Sequence, residues 1–308
     1  MSSSSAEMSS AMLALSNNLA DIVEQAGRSV VRVNGRSRLS SSGIYWRQGI
    51  VVTADETLKR SEDITVTLPD NRTLPVTLIG RDPSTDIAVL NLQHVELPVA
   101  EIGEASSLRV GHMVLAVGRS SESGLSASMG VVSALGGAWH SRYGGLIDQF
   151  VRLDLNLYPS IEGGSLVEAS GRVVGITVSG PRRTVLSIPA STINRVVDQL
   201  LSKGHIARGY LGLGMQPVRL PETLKNTLNL SSVGGVIVIN VEPDGPADKS
   251  GVLIGDVLVA IDGTSVSDTG DIQAILGSHS VGKTLNVQVV RGGTVVDVAL
   301  TVGERQER

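Results

Sequence analysis

The spacing of apolar positions along the chain changes period at each element boundary. Leu15, Leu19, Ile22, Val23 and Ala26 fall on one face of a 3.6-residue repeat, which predicts a helix closed by Gly27. Residues 1–10, rich in serine, are expected to form a disordered tail. From Val30 the repeat becomes two. Short β-branched runs predict strands at 30–33, 50–53, 64–68, 74–79, 87–92 and 113–117, then at 126–134, 150–153, 173–178 and 185–188. Turn pairs such as Asp70-Asn71 and Gly136-Gly137 punctuate them, and no helix-length segment intervenes. A barrel or sandwich is therefore expected, and a parallel α/β sheet is not. A helix follows over 191–203, with Ile193, Val196, Val197, Leu200 and Leu201 on one side and Gly204 at its end. Beyond it the pattern restarts. Strands are predicted at 210–215, 236–241, 257–261, 285–290 and 294–302, with one helix over 271–276 and an Arg291-Gly292-Gly293 hairpin turn. The expected organisation is a tail and helix over 1–27, a β domain over 28–206 and a small α+β domain over 207–308.

Composition narrows the chemistry. Of 308 residues 41% are hydrophobic and 2% aromatic, so the core must be aliphatic, and base-stacking readers of nucleic acid are disfavoured. A net charge of −4 shows no basic footprint, so no nucleic-acid partner is expected. The absence of cysteine removes disulfides, thiolate metal sites and a cysteine nucleophile together. The five histidines, His94, His112, His140, His205 and His279, lack metal-ligand spacing, and no cofactor or metal is implied. No Lys or Arg precedes Arg28, the apolar run 11–15 is too short for a secretory signal, and no stretch has the length of a membrane span. Taken as it stands the chain reads as cytoplasmic; with a leader removed it would belong to the envelope or periplasm.

Two groups of segments go further. The first is ITVTLPDNRTLPVTLIGRDPSTDIAVLN at 64–91, followed by LPVAEIGEASSLRVGHMVLA at 97–116 and GVVSALG at 130–136. The second is RGYLGL at 208–213, followed by VEPDGPADKSGVLIGDVLVAIDGTSV at 241–266. Together they closely resemble the HtrA (Deg) family over about residues 28–305. The resemblance implies a mostly β chain: a trypsin-like double β-barrel followed by a small α+β PDZ domain.

The family's catalysis uses a Ser–His–Asp arrangement, in which histidine takes the serine proton and aspartate orients the imidazole. The resemblance places the aspartate at Asp86, within Asp82-Pro83-Ser84-Thr85-Asp86-Ile87-Ala88. The family histidine follows a strand shortly before Ile-Thr-Val; here the ungapped position carries Glu56, and no histidine occurs before His94. The family serine lies in a Pro-Gly-Asn-Ser-Gly-Gly run. Here the run is Pro159-Ser160-Ile161-Glu162-Gly163-Gly164, which puts Glu162 at the nucleophile position and Ser160 in place of the oxyanion-hole glycine. Ser160 and Ser165 lie off the nucleophile position and have no base beside them in sequence, and serine without a base is a weak nucleophile.

The resemblance thus implies a pseudoprotease with no intact catalytic residue, whose vestigial positions are Glu56, Asp86 and Glu162, with Ser160 and Gly163 in the former oxyanion loop. Three carboxylates meeting there would repel unless one is protonated or a cation or basic side chain joins them. The plainest expectation is that these side chains turn to water, with solvent relieving the repulsion at Glu162.

In the second domain the resemblance places a carboxylate-binding loop at Tyr210-Leu211-Gly212-Leu213. Such modules add a ligand C-terminus as an extra strand. Leu211, Leu213 and Met215, with Ile272, Ile275 and Leu276 on the facing helix, are candidate groove residues, each open to an ordinary core reading. The implied partner is a polypeptide or protein C-terminus, and the implied role that of a scaffold, chaperone-like or regulatory factor. An active serine endopeptidase of protein quality control is the alternative, and a carboxylate-lined hydrolase or metal site a third reading. Family members assemble as trimers through aromatic residues near the N-terminus. No aromatic residue precedes Tyr45 here, so a homo-oligomer of that kind would need another contact.

Overall fold

In a computed structural model the chain divides into two compact units, Met1–Ile206 and Ala207–Arg308. The structure describes residues 2–36, 40–141, 143–207, 209–230, 234–277 and 280–304, with side chains from residue 9 onward. Arg208, at the head of the RGYLGL segment, and His279 lie outside the described residues.

The first unit opens with helix α1 (Ser2–Gly27). Its last turns pack Leu19, Ile22, Val23 and Ala26 on the barrel core. The helix also takes in the serine-rich stretch expected to be disordered. Once the apolar end is docked, residues 2–14 contain no Pro or Gly to stop propagation, which adds one hydrogen bond for each residue fixed.

Seven strands follow: β1 (Val30–Asn34), β2 (Ser41–Arg47), β3 (Ile50–Thr53), β4 (Thr65–Thr67), β5 (Thr73–Pro75), β6 (Thr77–Asp82) and β7 (Ile87–Asn91). They form one sheet in the order β5-β4-β1-β2-β3-β7-β6. It encloses Val31, Val33, Tyr45, Val51, Val66, Ala88 and Leu90. The run predicted at 74–79 is split into β5 and β6 at Val76, whose N–H donates to the Ile64 carbonyl. Strand β2 lies outside the predicted runs: Ser41-Ser42-Gly43 carries no apolar alternation, yet these residues are buried. The Ser42 hydroxyl donates to the Ser160 carbonyl at 2.6 Å and accepts the Arg119 N–H at 2.7 Å, so its polar atom is satisfied inside the fold.

The second half of the unit holds β8 (Met113–Ser120), β9 (Gly124–Gly136), the small hairpin β10 (Trp139–His140) and β11 (Leu146–Ile147), β12 (Phe150–Asp154), β13 (Ser165–Glu168), β14 (Val173–Ser179) and β15 (Val185–Pro189). Six of them close into a barrel in the order β12-β15-β14-β13-β8-β9, which removes the sheet edges. Helix α2 (Ala190–Lys203) follows and ends at Gly204, whose φ of +76° suits only glycine and whose N–H donates to the Leu200 carbonyl. Ile193, Val196, Val197 and Leu200 are buried in the same core as Trp46, Ile176 and Ile188.

The second unit contains β16 (Gly209–Tyr210), β17 (Leu213–Arg219), α3 (Glu222–Leu228), β18 (Gly234–Val241), α4 (Pro246–Lys249), β19 (Val257–Ile261), β20 (Thr264–Ser265), α5 (Thr269–Ile275), β21 (Thr284–Arg291), β22 (Thr294–Thr301) and β23 (Gly303–Glu304). The main sheet runs β17-β18-β19-β21-β22, with β20 beside β19, and β16 pairs with β23. Helix α5 starts on a capping box, in which Asp268 accepts the Asp271 N–H and the Asp271 side chain returns to the Asp268 N–H. Alternate residues of β21, Leu285, Val287 and Val289, enter the core with Val236, Val238, Leu258 and Ile272.

Candidate functional site

In the first unit Asp86 follows a turn held by a buried carboxylate. Asp82 accepts the Ser84 N–H at 3.1 Å and the Thr85 hydroxyl at 2.7 Å. Asp86 leaves that turn with φ +57°, and β7 begins directly after it. The loop after β3 lies against it as a 3-10 turn over Asp55–Thr57. Its amides grip Asp86: the Asp55 N–H donates to the Asp86 carbonyl at 3.2 Å, and the Glu56 N–H to Asp86 Oδ1 at 2.8 Å. Asp55 itself is buried and ion-paired with Arg81.

Glu56 meets Asp86 through its backbone, while its side chain is exposed. Among the described residues no side chain is hydrogen-bonded to or ion-paired with the Asp86 carboxylate. Burial pushes that carboxyl up to about 7. The Glu56 amide opposes the rise, and the negative charges of Glu56, Asp55 and Glu162 add to it.

Glu162 sits in a tight turn before β13. The amides of Ile161 and Glu162 both donate to the Tyr158 carbonyl, at 2.8 and 3.2 Å, and the Gly163 amide donates to the Thr177 carbonyl at 2.8 Å. Two of the amides that the resemblance would turn towards an oxyanion, those of Glu162 and Gly163, are thus consumed inside the fold. Gly163 has φ +77°, and a Cβ there would stand 2.6 Å from the Ser42 carbonyl and 2.6 Å from Thr53 Oγ1, so only glycine fits.

The Glu162 side chain does not turn to water. It is 7% exposed and pairs with Arg36, Nη2 to Oε2 3.0 Å. Arg36 also donates from Nε to the Thr57 carbonyl at 2.9 Å, so one guanidinium links the Asp55–Thr57 turn to the Glu162 turn. This corrects the expectation of solvent relief at Glu162: a basic side chain neutralises it. Water relief fits the exposed Glu56 alone. Arg36 lies 126 residues from Glu162, and no local signal joins the two.

Ser165 is fully buried, and its hydroxyl has no partner among the described residues. Ser160 is half-buried, its carbonyl held by Ser42. No described hydrogen bond joins a histidine to either serine, and His112 is engaged with Arg109. Among the described residues no three acidic or histidine side chains are arranged to share a metal ion.

In the second unit β17 pairs, among the described residues, only with β18, leaving its other edge open beside α5. Before it, the Leu211 carbonyl accepts the Ala247 N–H and the Gly212 carbonyl the Glu242 N–H, each at 2.9 Å. The amides of Leu211 and Gly212 donate to nothing among the described residues. Gly212, with φ +75°, turns the loop so that carbonyls point in and these amides stay free. Tyr210 pairs in β16 with Gly303, and the Gly209 N–H ties the loop to Leu276 at the end of α5. Leu211 and Ile272 are core residues, while Leu213, Met215, Ile275 and Leu276 are partly exposed around them.

Two β-rich halves that bring the Asp55–Thr57, Asp86 and Glu162 turns together, followed by a module with an open edge strand and free loop amides, define a trypsin-like peptidase domain joined to a PDZ domain. Residues 41–176 match the trypsin-like peptidase domain family and residues 209–302 the PDZ domain family. The probable periplasmic serine endoprotease, DegP-like, of Pseudomonas fulva is 33% identical over 279 residues, and that of Halomonas elongata 30% identical over 275; each match covers 87% of this chain and 57% of the relative. The chain thus spans a little over half the length of these relatives. Among solved structures, the HtrA-type protease AlgW with decapeptide superposes with a TM-score of 0.75 at 26% identity, covering 94% of this chain and 99% of that one. The serine endoprotease from Yersinia pestis gives 0.74 at 26%, covering 92% and 97%. The chain belongs to the HtrA family.

Proposed function

We propose that this HtrA-family chain is a pseudoprotease that binds polypeptide C-termini through its PDZ domain and acts as a scaffold, chaperone-like or regulatory factor. The observation that carries the reading is Glu162, which the resemblance assigns to the nucleophile position: its carboxylate is buried and locked to Arg36. A carboxylate so held cannot attack a carbonyl and give up a proton as a serine does, and Glu56 offers an exposed side chain in place of a base bonded to Asp86. The relatives' names favour the alternative, an active serine endopeptidase. Against it stand the missing histidine, the buried Ser165 and the consumed Glu162 and Gly163 amides.

The free amides of Leu211 and Gly212 support a C-terminal carboxylate as ligand, with β17 as the pairing edge. A peptide-bound AlgW structure is in keeping with this use of the fold. The periplasmic address in the relatives' names favours an envelope location over the cytoplasmic one, and no helix among the described residues is long and apolar enough to cross a membrane.

The test is a binding titration with one apolar peptide prepared as free acid and as C-terminal amide. The acid is expected to bind about tenfold or more tightly, since the amide removes the charge that the loop amides hold. Equal affinities would contradict the carboxylate loop.

A further inference from the structure

Among the half-buried arginines of the first unit, Arg36, Arg47, Arg81 and Arg195 each meet a carboxylate. Arg32 and Arg119, also half-buried, meet none among the described residues. Burial lowers the Arg119 guanidinium below its ordinary range, and no carboxylate charge opposes the shift. A charge taken out of water without a counter-charge is costly, and an amide or apolar side chain would serve the fold as well.

The two side chains lie on one face of the first sheet. Arg32 and Ser42 oppose each other on β1 and β2, so their side chains share that face. Strand β8 lies over it, because the Arg119 N–H donates to Ser42 Oγ at 2.7 Å. The Arg119 side chain then runs back along β1, donating from Nε to the Val30 carbonyl at 3.0 Å and from Nη2 to the Gly27 carbonyl at 2.9 Å. Val30 and Arg32 are two strand residues apart, so the two guanidinium groups are anchored at positions about 7 Å apart.

The rest of the face consists of hydroxyls. Thr67 opposes Arg32, Thr65 opposes Asn34, and Thr73 on β5 opposes Thr67. Thr67 Oγ1 accepts from Arg32 Nη2 at 2.9 Å and from Asn34 Nδ2 at 3.2 Å, so its own proton goes to Thr73 Oγ1, 2.9 Å away. The proton of the exposed Thr73 is left to donate outwards. Thr65 Oγ1 accepts from Asn34 at 3.0 Å and likewise keeps its proton. Arg32 Nε is shielded from water and has no partner among the described residues. Asp70, in the turn beyond Thr67, is engaged by Arg72. This face therefore presents guanidinium and hydroxyl donors with no acid to answer them.

We propose that it binds a doubly charged oxyanion of the phosphate class, free or as a phosphomonoester, between Arg32 and Arg119 with Thr65 and Thr73 at the rim. Two guanidinium charges match a dianion, and forked N–H donors with hydroxyls suit its several oxygens. The site does not depend on the pseudoprotease or PDZ reading.

The test titrates the full chain with inorganic phosphate and with glycerol phosphate at constant ionic strength, read by calorimetry and by the unfolding midpoint. Binding is expected to raise the midpoint, while sodium chloride at the same ionic strength leaves it unchanged. Tighter binding of glycerol phosphate assigns the site to a monoester, and equal or weaker binding to free phosphate. Arg32→Gln keeps a donor for Thr67 but removes the charge, so the midpoint without phosphate should match the parent while affinity falls about tenfold. If that variant is itself destabilised, Thr73→Val at the exposed rim carries the test, with a loss of about threefold expected. Affinity within about 1.5-fold of the parent in both variants would overturn the proposal. So would the absence of binding heat with either anion, or equal stabilisation by chloride.

Discussion

Replacing Arg36 with alanine is expected to lower the unfolding free energy of the barrel unit by about 3–5 kcal/mol, because it leaves Glu162 as a buried carboxylate without a partner. Both side chains are shielded, at 17% and 7% exposure, so this is not a screened surface pair of small value. Alanine also removes the bond to the Thr57 carbonyl and with it the link between the two turns. Glu162→Ala should cost a similar amount by stranding the guanidinium, and Glu162→Gln less, since an amide oxygen still accepts from Arg36. The Arg36→Met, Glu162→Leu double variant should recover most of the loss, as well-packed apolar replacements of buried ion pairs do. Both tryptophans, Trp46 and Trp139, lie in the first unit, so urea unfolding followed by tryptophan fluorescence reads this unit alone. Single variants as stable as the parent would mean that the pair is not formed.

The second large effect has the opposite sign. Burial raises the Asp86 carboxyl from its ordinary value near 4 to about 7. In the folded chain it holds its proton to higher pH than in the unfolded chain. Its contribution to stability is therefore fully present below pH 4 and is lost as pH rises from about 4 to about 7. Above that range the carboxylate is ionised in both states, and the folded state bears the whole cost of burying it. Asp86→Asn keeps an acceptor for the Glu56 N–H and abolishes the titration. The variant is expected to be more stable than the parent at pH 8, by about 2–4 kcal/mol from a shift of roughly three pH units. At pH 4 the two should be nearly equal. Unfolding free energies measured across that range check the slope as well as the size. A variant destabilised at pH 8 would show that ionised Asp86 is well solvated or carries a partner. In an active relative the triad histidine would supply that partner; here the resemblance assigns that position to Glu56, of which the amide and not the side chain is bonded to the Asp86 carboxylate.

What the sequence could show followed from what is local. Alternation revealed 285–290, where Leu285, Val287 and Val289 enter one core, and a continuous apolar run revealed 257–261, which is buried at four successive positions. The missing histidine was equally legible, being a fact of composition before His94. The hidden features all depend on partners remote in the chain. Ser41–Arg47 is a strand because Ser42 finds Ser160 and Arg119, more than 70 residues away. Glu162 is neutralised because the turn after β1 brings Arg36 to it. The serine-rich start is helical because residues 19–26 beyond it are docked. Its own composition reads as disorder. Leu211 and Ile272, groove candidates by resemblance, are core residues, and a periodic apolar face alone does not separate those two roles.

The central claim is that the cleft holds no activated nucleophile. Its most direct test is to incubate the full chain with a fluorophosphonate and record the intact mass. The account predicts an unmodified chain, even at long exposure and across pH 5–9, because Ser165 is buried and no described histidine is bonded to either Ser160 or Ser165. A single stoichiometric adduct mapping to a serine of this cleft would contradict it.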